Sequence, residues 1–323
     1  ALLIKRWGSQ AVILAGLPCY AVCLTGLGLA PSLPFLAAAL FLFGFASNTF
    51  NIALNAQAVD VECLYKRPIM STFRGMWSLG GVAGGTLGAI VAPLGLPPLP
   101  HFIIMCAVTC LVTFSVRHRI LPHDLPRKFT PKKHRGFTMP SCFILLLGFI
   151  AFSNMATEGT MYDWSAVYFA QVVRPGEALV RAGYIACMIC MVCCRFIADR
   201  LVVRFGAIRV LQFGGLCTAA GFLLACLVPT LPAATAGFAM VGFGMAPAIP
   251  LCYSLTSKSR TVSPSVAISI ISTISFFGML ASPAGVGMLS HVFGLQTALM
   301  PLAAMGLSII VLAPLLTRAE RNQ

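Results

Sequence analysis

The chain has 323 residues, 59% hydrophobic and 9% charged, with a formal net charge of +14 and a mean hydropathy of +0.92. Soluble domains carry about 25% charged residues, so the composition excludes a soluble enzyme or nucleic-acid-binding domain and defines an integral membrane protein. What matters about the positive excess is then its placement, because basic residues orient membrane spans.

Ten segments are long and apolar enough to cross a hydrocarbon core of roughly 30 Å, which takes about 20 helical residues each. They run near 10–30, 34–58, 70–94, 101–117, 141–166, 181–199, 207–228, 233–256, 264–290 and 296–316, and residues 1–10 read as a loop. The connecting loops alternate in charge. Of the 22 Lys and Arg residues, all but Arg74, Arg174 and Arg181 fall in one set of loops; the other set (APSLP, GLPPLP, VPTLP, HVFGLQT) has none. By the positive-inside rule the basic loops and the C-terminus are cytoplasmic. The 13 cysteines, an odd number lying mostly within spans, argue against a disulfide framework.

In chain order, the first polar feature inside a span is Asn48, Asn51 and Asn55, at i, i+3 and i+7 on one helical stripe. Three amides on one face suit a hydroxylated or zwitterionic solute; hydrogen bonding between helices is the other reading. Next comes STFRGMWSLGGVAGGTLG, where Arg74 and Trp77 are cavity candidates. Arg74 has three open readings: an anion site, an ion pair with Asp60 or Glu62, or a snorkelling side chain. Gly80, Gly84 and Gly88, with Gly81 and Gly85, repeat GxxxG, the spacing of close helix packing. A basic, proline-containing linker, 118–139, then divides an N-terminal unit, 1–117, from a C-terminal one, 140–323.

The run FSNMATEGTMYDWSAVYFAQ follows, with Asn154 and Glu158 on one face at i, i+4 and Asp163 on another. Tyr162, Trp164 and Tyr168 beside them read as an interfacial belt or as a stacking surface for a sugar ring. Glu158 and Asp163 are the proton-coupling candidates, Glu158 the stronger, since a partly desolvated carboxyl loads and releases protons readily; a structural acid hydrogen-bonded to the repeat partner is the other reading of Glu158. Cys187, Cys190, Cys193 and Cys194 contain a CxxC, but three of them share an apolar stripe without His or carboxylate nearby. They read as small packing residues, and no metal or cofactor is expected.

The stretch 194–209, CRFIADRLVVRFGAIR, is a short basic hairpin between apolar runs, and LIKRWGSQ at the chain start is its weaker twin. Leu3, Arg6, Gly8, Val12 and Gly16 align with Leu201, Arg204, Gly206, Val210 and Gly214 at one constant offset of 198 residues. The same offset pairs Pro31, Leu33 and Pro34 with Pro229, Leu231 and Pro232, Gly44 and Phe45 with Gly242 and Phe243, and Gly80 with Gly278. A multi-helix unit therefore occurs twice, as in many secondary transporters.

The hairpin resembles the loop signature of major facilitator superfamily transporters, and the run around Glu158 is similar to the YbjJ-like bacterial inner-membrane branch, broadly like sugar permeases. The resemblance implies an all-α fold of two pseudo-symmetric bundles with a hydrated cavity between them. The third helix of each triplet packs outside: 10–30, 101–117, 207–228 and 296–316. It also implies a gating loop of Arg195, Asp199, Arg200, Arg204, Gly206 and Arg209, with Asp199 latching cationic side chains and helix N-termini. Arg195 and Asp199 are themselves i, i+4 neighbours. The second copy begins near Pro140, so an equal first copy would begin about 58 residues before Ala1, the length of two further spans. Ten helices of twelve are thus expected. The function implied is that of a monomeric secondary transporter of a small polar solute, sugar-like or an organic anion, with protons as coupling partner. Competing expectations are an exporter of drugs or amphiphiles, or a sensor that binds without transport. Without a GxxxxGK[ST] motif, nucleotide-driven transport is not expected.

Overall fold

The computed structural model describes residues 2–91, 97–122, 141–176, 179–259 and 262–321, and for eight positions within 81–91 the backbone alone. Most of the expected linker, 118–139, lies outside the described residues. A first set of helices comprises α1 (Leu2–Gly28), α2 (Leu33–Tyr65), α3 (Met70–Val91) and α4 (Pro98–Val116). The second comprises α5 (Cys142–Tyr168), α6 (Ala182–Phe205), α7 (Ala207–Leu227), α8 (Leu231–Met245), α9 (Ala248–Leu255), α10 (Pro264–Phe293), α11 (Leu295–Ala298) and α12 (Met300–Arg321). Eight helices among the described residues have the length and composition to cross a membrane. At 22 and 24 residues, α3 and α6 also have the necessary length, about 33 and 36 Å at 1.5 Å per residue. The protein is a multi-pass membrane protein.

The expected helices form, with four corrections, one being that 296–316 is interrupted at Leu299 between α11 and α12. Residues 2–7 are helical rather than a loop, and the break falls at Gly8, with φ 80° and ψ 161°. The expected span 233–256 is two helices, because Pro247 cannot donate to the preceding turn and the helix stops at Met245. Beyond Tyr168, α5 runs into a π turn, Phe169–Val173, closed by Arg174 in a left-handed conformation.

The internal repeat is visible in the backbone. Gly206, 198 residues after Gly8, has φ 85° and ψ 153°, a region open essentially to glycine alone. Helices α2 and α8 begin at Leu33 and Leu231, each with proline in its first turn and an extended residue, Ser32 or Thr230, before it. The packing repeats too: α1 lies against α2 and α4, while α7 lies against α8 and α12.

Prolines inside helices leave carbonyls without their usual donor, and at Pro314 and Pro283 a neighbouring helix comes close to the freed oxygen. Pro314 frees the Ile310 carbonyl, which accepts from Gln212 Nε2 of α7 at 3.2 Å. Pro283 frees that of Met279, and α5 approaches so closely there that a Cβ on Gly159 would stand 2.6 Å from this oxygen.

Close helix packing through glycine occurs in the second set rather than in the GxxxG run of α3. Added Cβ atoms at Gly80 and Gly84 would meet nothing within 4 Å, because this face of α3 looks into open space. The side-chain surroundings of Gly81, Gly85 and Gly88 lie outside the described residues.

Two buried clusters make the core. One joins both sets, with Ile52, Val59 and Met70 against Phe143, Tyr253 and Ile268, and sits at the end where the basic loops emerge. The other belongs to the second set alone, around Tyr168, Phe169, Phe222 and Phe238 at the opposite end. The two sets are therefore joined at the basic end.

Candidate functional site

The polar contacts between the sets lie along the first turns of α3. Its N-terminal amides, unsatisfied within the helix, are taken up by two carboxylates. Glu62, at the end of α2, accepts from Ile69 N at 2.9 Å and Met70 N at 3.0 Å, and takes the hydroxyl of Ser254 in α9. Asp199, near the end of α6, accepts from Ser71 N at 3.1 Å through Oδ1. Its Oδ2 accepts from Thr72 N at 2.7 Å and Thr72 Oγ1 at 2.5 Å. Anionic oxygens at a helix N-terminus are favoured by both hydrogen bonding and the helix dipole.

One turn deeper, Arg195 Nη1 donates to Ser78 Oγ of α3, and Nη2 stands 3.6 Å from Glu158 Oε1 of α5. Glu158 also accepts from Tyr162 OH at 2.9 Å. Arg195 is 2% exposed and Glu158 4%. Removing either partner of so buried a pair typically costs about 3–5 kcal/mol, because it strands the other charge. Ser78 Oγ in turn donates to the carbonyl of Arg74 at 3.0 Å, and the Arg74 guanidinium lies 5.4 Å from the Trp77 ring. The Nε atoms of Arg74 and Arg195 are buried without partners. The result is a polar seam in which one arginine of the second set is shared between an acid of its own set and a hydroxyl of the other.

The expected residues fall into three groups. Glu158, Arg195, Arg74 and Trp77 come together at the seam, and Asp199 lies one turn below. Arg200, Arg204, Gly206 and Arg209 are exposed at the basic end. The remainder lie apart. Asn154 is buried within α5; Asn55 Nδ2 donates to the carbonyl and side chain of Asn51, whereas Asn48 is exposed. The Trp164 indole donates to the Pro283 carbonyl of α10 at 3.0 Å. Asp163 is exposed, away from Glu158, because α5 runs unbroken past Gly159.

Two expectations are corrected. Arg195 is not on the basic surface with the other hairpin arginines; it points into the protein and pairs with Glu158, not with Asp199 one turn away. Glu62 does not pair with Arg74, because its two oxygens are committed to the α3 amides and Ser254. The sequence reading missed Ser71, Thr72, Ser78 and Ser254. The available signal was a Ser-Thr pair at the start of a span, the residue types whose donors meet an acidic cap.

Two sets of membrane-crossing helices, one carrying a copy of the other's unit, meet along a buried polar seam, the repeat-built architecture of many membrane carriers. The sequence profile of the Major Facilitator Superfamily matches residues 1–263, and the chain belongs to that superfamily. It is 34% identical over 301 residues to an uncharacterized transporter of Sinorhizobium fredii, covering 92% of this chain and 78% of that one. An uncharacterized MFS-type transporter of Yersinia pestis is 30% identical over 321 residues, covering 98% and 81%. Membrane protein MosC of Rhizobium meliloti is 25% identical over 295 residues, covering 91% and 71%. Among solved structures, the MFS transporter FucP in the outward conformation superposes with a TM-score of 0.78 at 16% identity, covering 98% of this chain and 84% of that one. A point variant of FucP, the E. coli fucose:proton symporter, gives 0.77 at 16%, covering 98% and 85%. The human organic anion transporter MFSD10 gives 0.73 at 17%, covering 94% and 77%. These structures share the fold. The protein is a membrane transporter and not an enzyme.

Proposed function

We propose that the chain moves a small polar solute, sugar-like or an organic anion, across a bacterial inner membrane by alternating access, with protons coupled through Glu158. The observation that carries this reading is Arg195, held at once by Glu158 of its own set and by Ser78 of the other. A proton on Glu158 weakens its hold on Arg195, so a titration inside one set acts on a contact between the two. The basic loops and the C-terminus are cytoplasmic in this reading, and the contacts gathered at that end make the described state outward-open. Support for that state comes from the likeness to FucP in the outward conformation. The working unit is a monomer built as 1–117 and 140–323 around a linker. In this reading its cavity is lined by Asn48, Asn51, Asn55, Arg74 and Trp77, with Asp163 and Trp164 at its outer margin and Asn154 buried behind it on α5, and the hairpin from Arg195 to Arg209 is the gate.

The test is transport by the purified chain in vesicles loaded with a pH-sensitive dye. Fucose and small organic anions, the solutes named for its fold relatives, are the first panel. A substrate should be accumulated on a proton gradient, and Glu158→Gln should abolish accumulation while leaving counterflow. Accumulation that survives the substitution rules out Glu158 as the coupling group. Binding without counterflow identifies a sensor instead of a carrier.

A further inference from the structure

The charges at the seam do not balance. Arg195 and Glu158 pair, but the Arg74 charge acts on both Arg195 and Tyr253, which places a second guanidinium in the same cluster. The carboxylates of Glu62 and Asp199, which flank the start of α3, are committed to its N-terminal amides. The Nε atoms of both arginines are buried and unpartnered, an arrangement expensive in itself and able to satisfy an incoming acceptor. Trp77, under the Arg74 guanidinium, is 61% exposed, so the Arg74 end of the cluster is not closed over by other helices among the described residues.

We infer that the transported solute carries a carboxylate, that this group docks on Arg74 and takes Arg195 from Glu158, and that Glu158 then binds the proton that crosses with it. The inference rests on the reading of Glu158 as the coupling residue and adds the substrate class and the stoichiometry. Once Arg195 turns to the incoming carboxylate, Glu158 is left a buried carboxylate without its cation, a charged form that burial disfavours, and so it takes up a proton. Glu158 is then a neutral carboxylic acid, and gives the proton up when the solute leaves and Arg195 returns. One carboxylate with one proton moves no net charge.

The groups around Glu158 permit this. Tyr162 faces it from α5, Arg195, Tyr184 and Cys187 from α6, with Arg74 behind Arg195 on α3. Tyr253 of α9 lies near Arg74 and is hydrogen-bonded to Ser272. Among the described residues α8 brings no ionisable side chain, α10 only His291 in its last turn, and α12 only Arg318, Glu320 and Arg321 at its end.

The experiment uses matched solutes that differ in a carboxylate, gluconate with glucose and lactate with 1,2-propanediol, and reads the shift in thermal unfolding of the purified full chain between pH 8 and pH 6. The acids should stabilise the protein and their neutral partners should not. Acid affinity should rise by about tenfold per pH unit on acidification, since binding takes up one proton. Glu158→Gln should make that affinity independent of pH. Arg74→Gln should weaken it by about tenfold or more, with Arg74→Lys retaining part of it, which separates a lost contact from a lost fold. Equal stabilisation by the neutral partners, or none by any acid, overturns the inference. If a neutral solute is the one that moves protons into vesicles, the carboxylate is wrong and the coupling reading stands. If acids bind with affinity independent of pH in the unsubstituted protein, the coupled proton is wrong.

Discussion

The carboxylate of Asp199 closes on Thr72 twice, accepting its amide at 2.7 Å and its hydroxyl at 2.5 Å across the seam between the two helix sets. Because Oδ1 also takes Ser71 N, a single side chain on α6 holds the first turn of α3. Asp199→Asn keeps the shape, removes the charge and turns one acceptor into a donor facing a donor. Charge at a partly buried helix N-terminus is worth up to about 2 kcal/mol, which corresponds to a shift of roughly thirtyfold in the balance between closed and open basic ends. Pulsed spin-label distances between α2 and α9, in a cysteine-depleted background, should broaden toward longer separations. An unchanged distribution would show that the Thr72 contact does not hold that end shut.

The two hairpin glycines should respond alike. Gly8 and Gly206, with φ of 80° and 85°, occupy a region that side chains disfavour by about 1–3 kcal/mol. Neither would meet a neighbour with an added Cβ, so the cost of alanine comes from backbone strain and not from crowding. Gly206→Ala and Gly8→Ala should each lower the thermal midpoint of the detergent-solubilised chain by a similar amount. A clear inequality would break the equivalence that the repeat assigns to them.

These local features were legible in the sequence because they depend on local chemistry. Glycine at a helix break and proline in a first turn dictate backbone conformation by themselves, so the offset of 198 carried over directly to matching dihedrals at Gly8 and Gly206 and matching starts at Leu33 and Leu231. Arg195 was misplaced for the complementary reason. Its spacing to Asp199 satisfies a helix-surface ion pair, and only the approach of Glu158, 37 residues earlier and on another helix, turns it inward. The expectation of close packing at Gly80 and Gly84 failed similarly, since GxxxG states that a close neighbour is tolerated and not that one is present. The seam itself depends on Ser71, Thr72, Ser78 and Ser254, whose importance follows entirely from which helix lies opposite.

That distinction gives a paired test. Gly80 and Gly278 are repeat mates, yet a Cβ at Gly278 would stand 2.6 Å from the Phe152 carbonyl while one at Gly80 meets nothing. Gly278→Ala must push α10 away from α5 and should cost about 1–3 kcal/mol. Gly80→Ala in this chain should be neutral or stabilising by up to about 1 kcal/mol, from helix propensity alone. Comparable losses at both positions would mean that α3 has a close neighbour on its glycine face.

The last prediction concerns how a proline is accommodated. Pro314 leaves the Ile310 carbonyl of α12 without its intrahelical donor, and Gln212 of α7 supplies one at 3.2 Å. Hydrogen bonds between membrane helices average about 0.6 kcal/mol and reach about 1.7, so Gln212→Leu should cost on the order of 1 kcal/mol. Pro314→Ala restores an amide to the turn and gives Ile310 its own partner. In that background the Gln212→Leu cost should shrink toward zero, and the double-mutant coupling should have the size of the lost bond. Additive effects would show instead that Gln212 stabilises α7 against α12 by packing, with no dependence on the carbonyl that Pro314 leaves free.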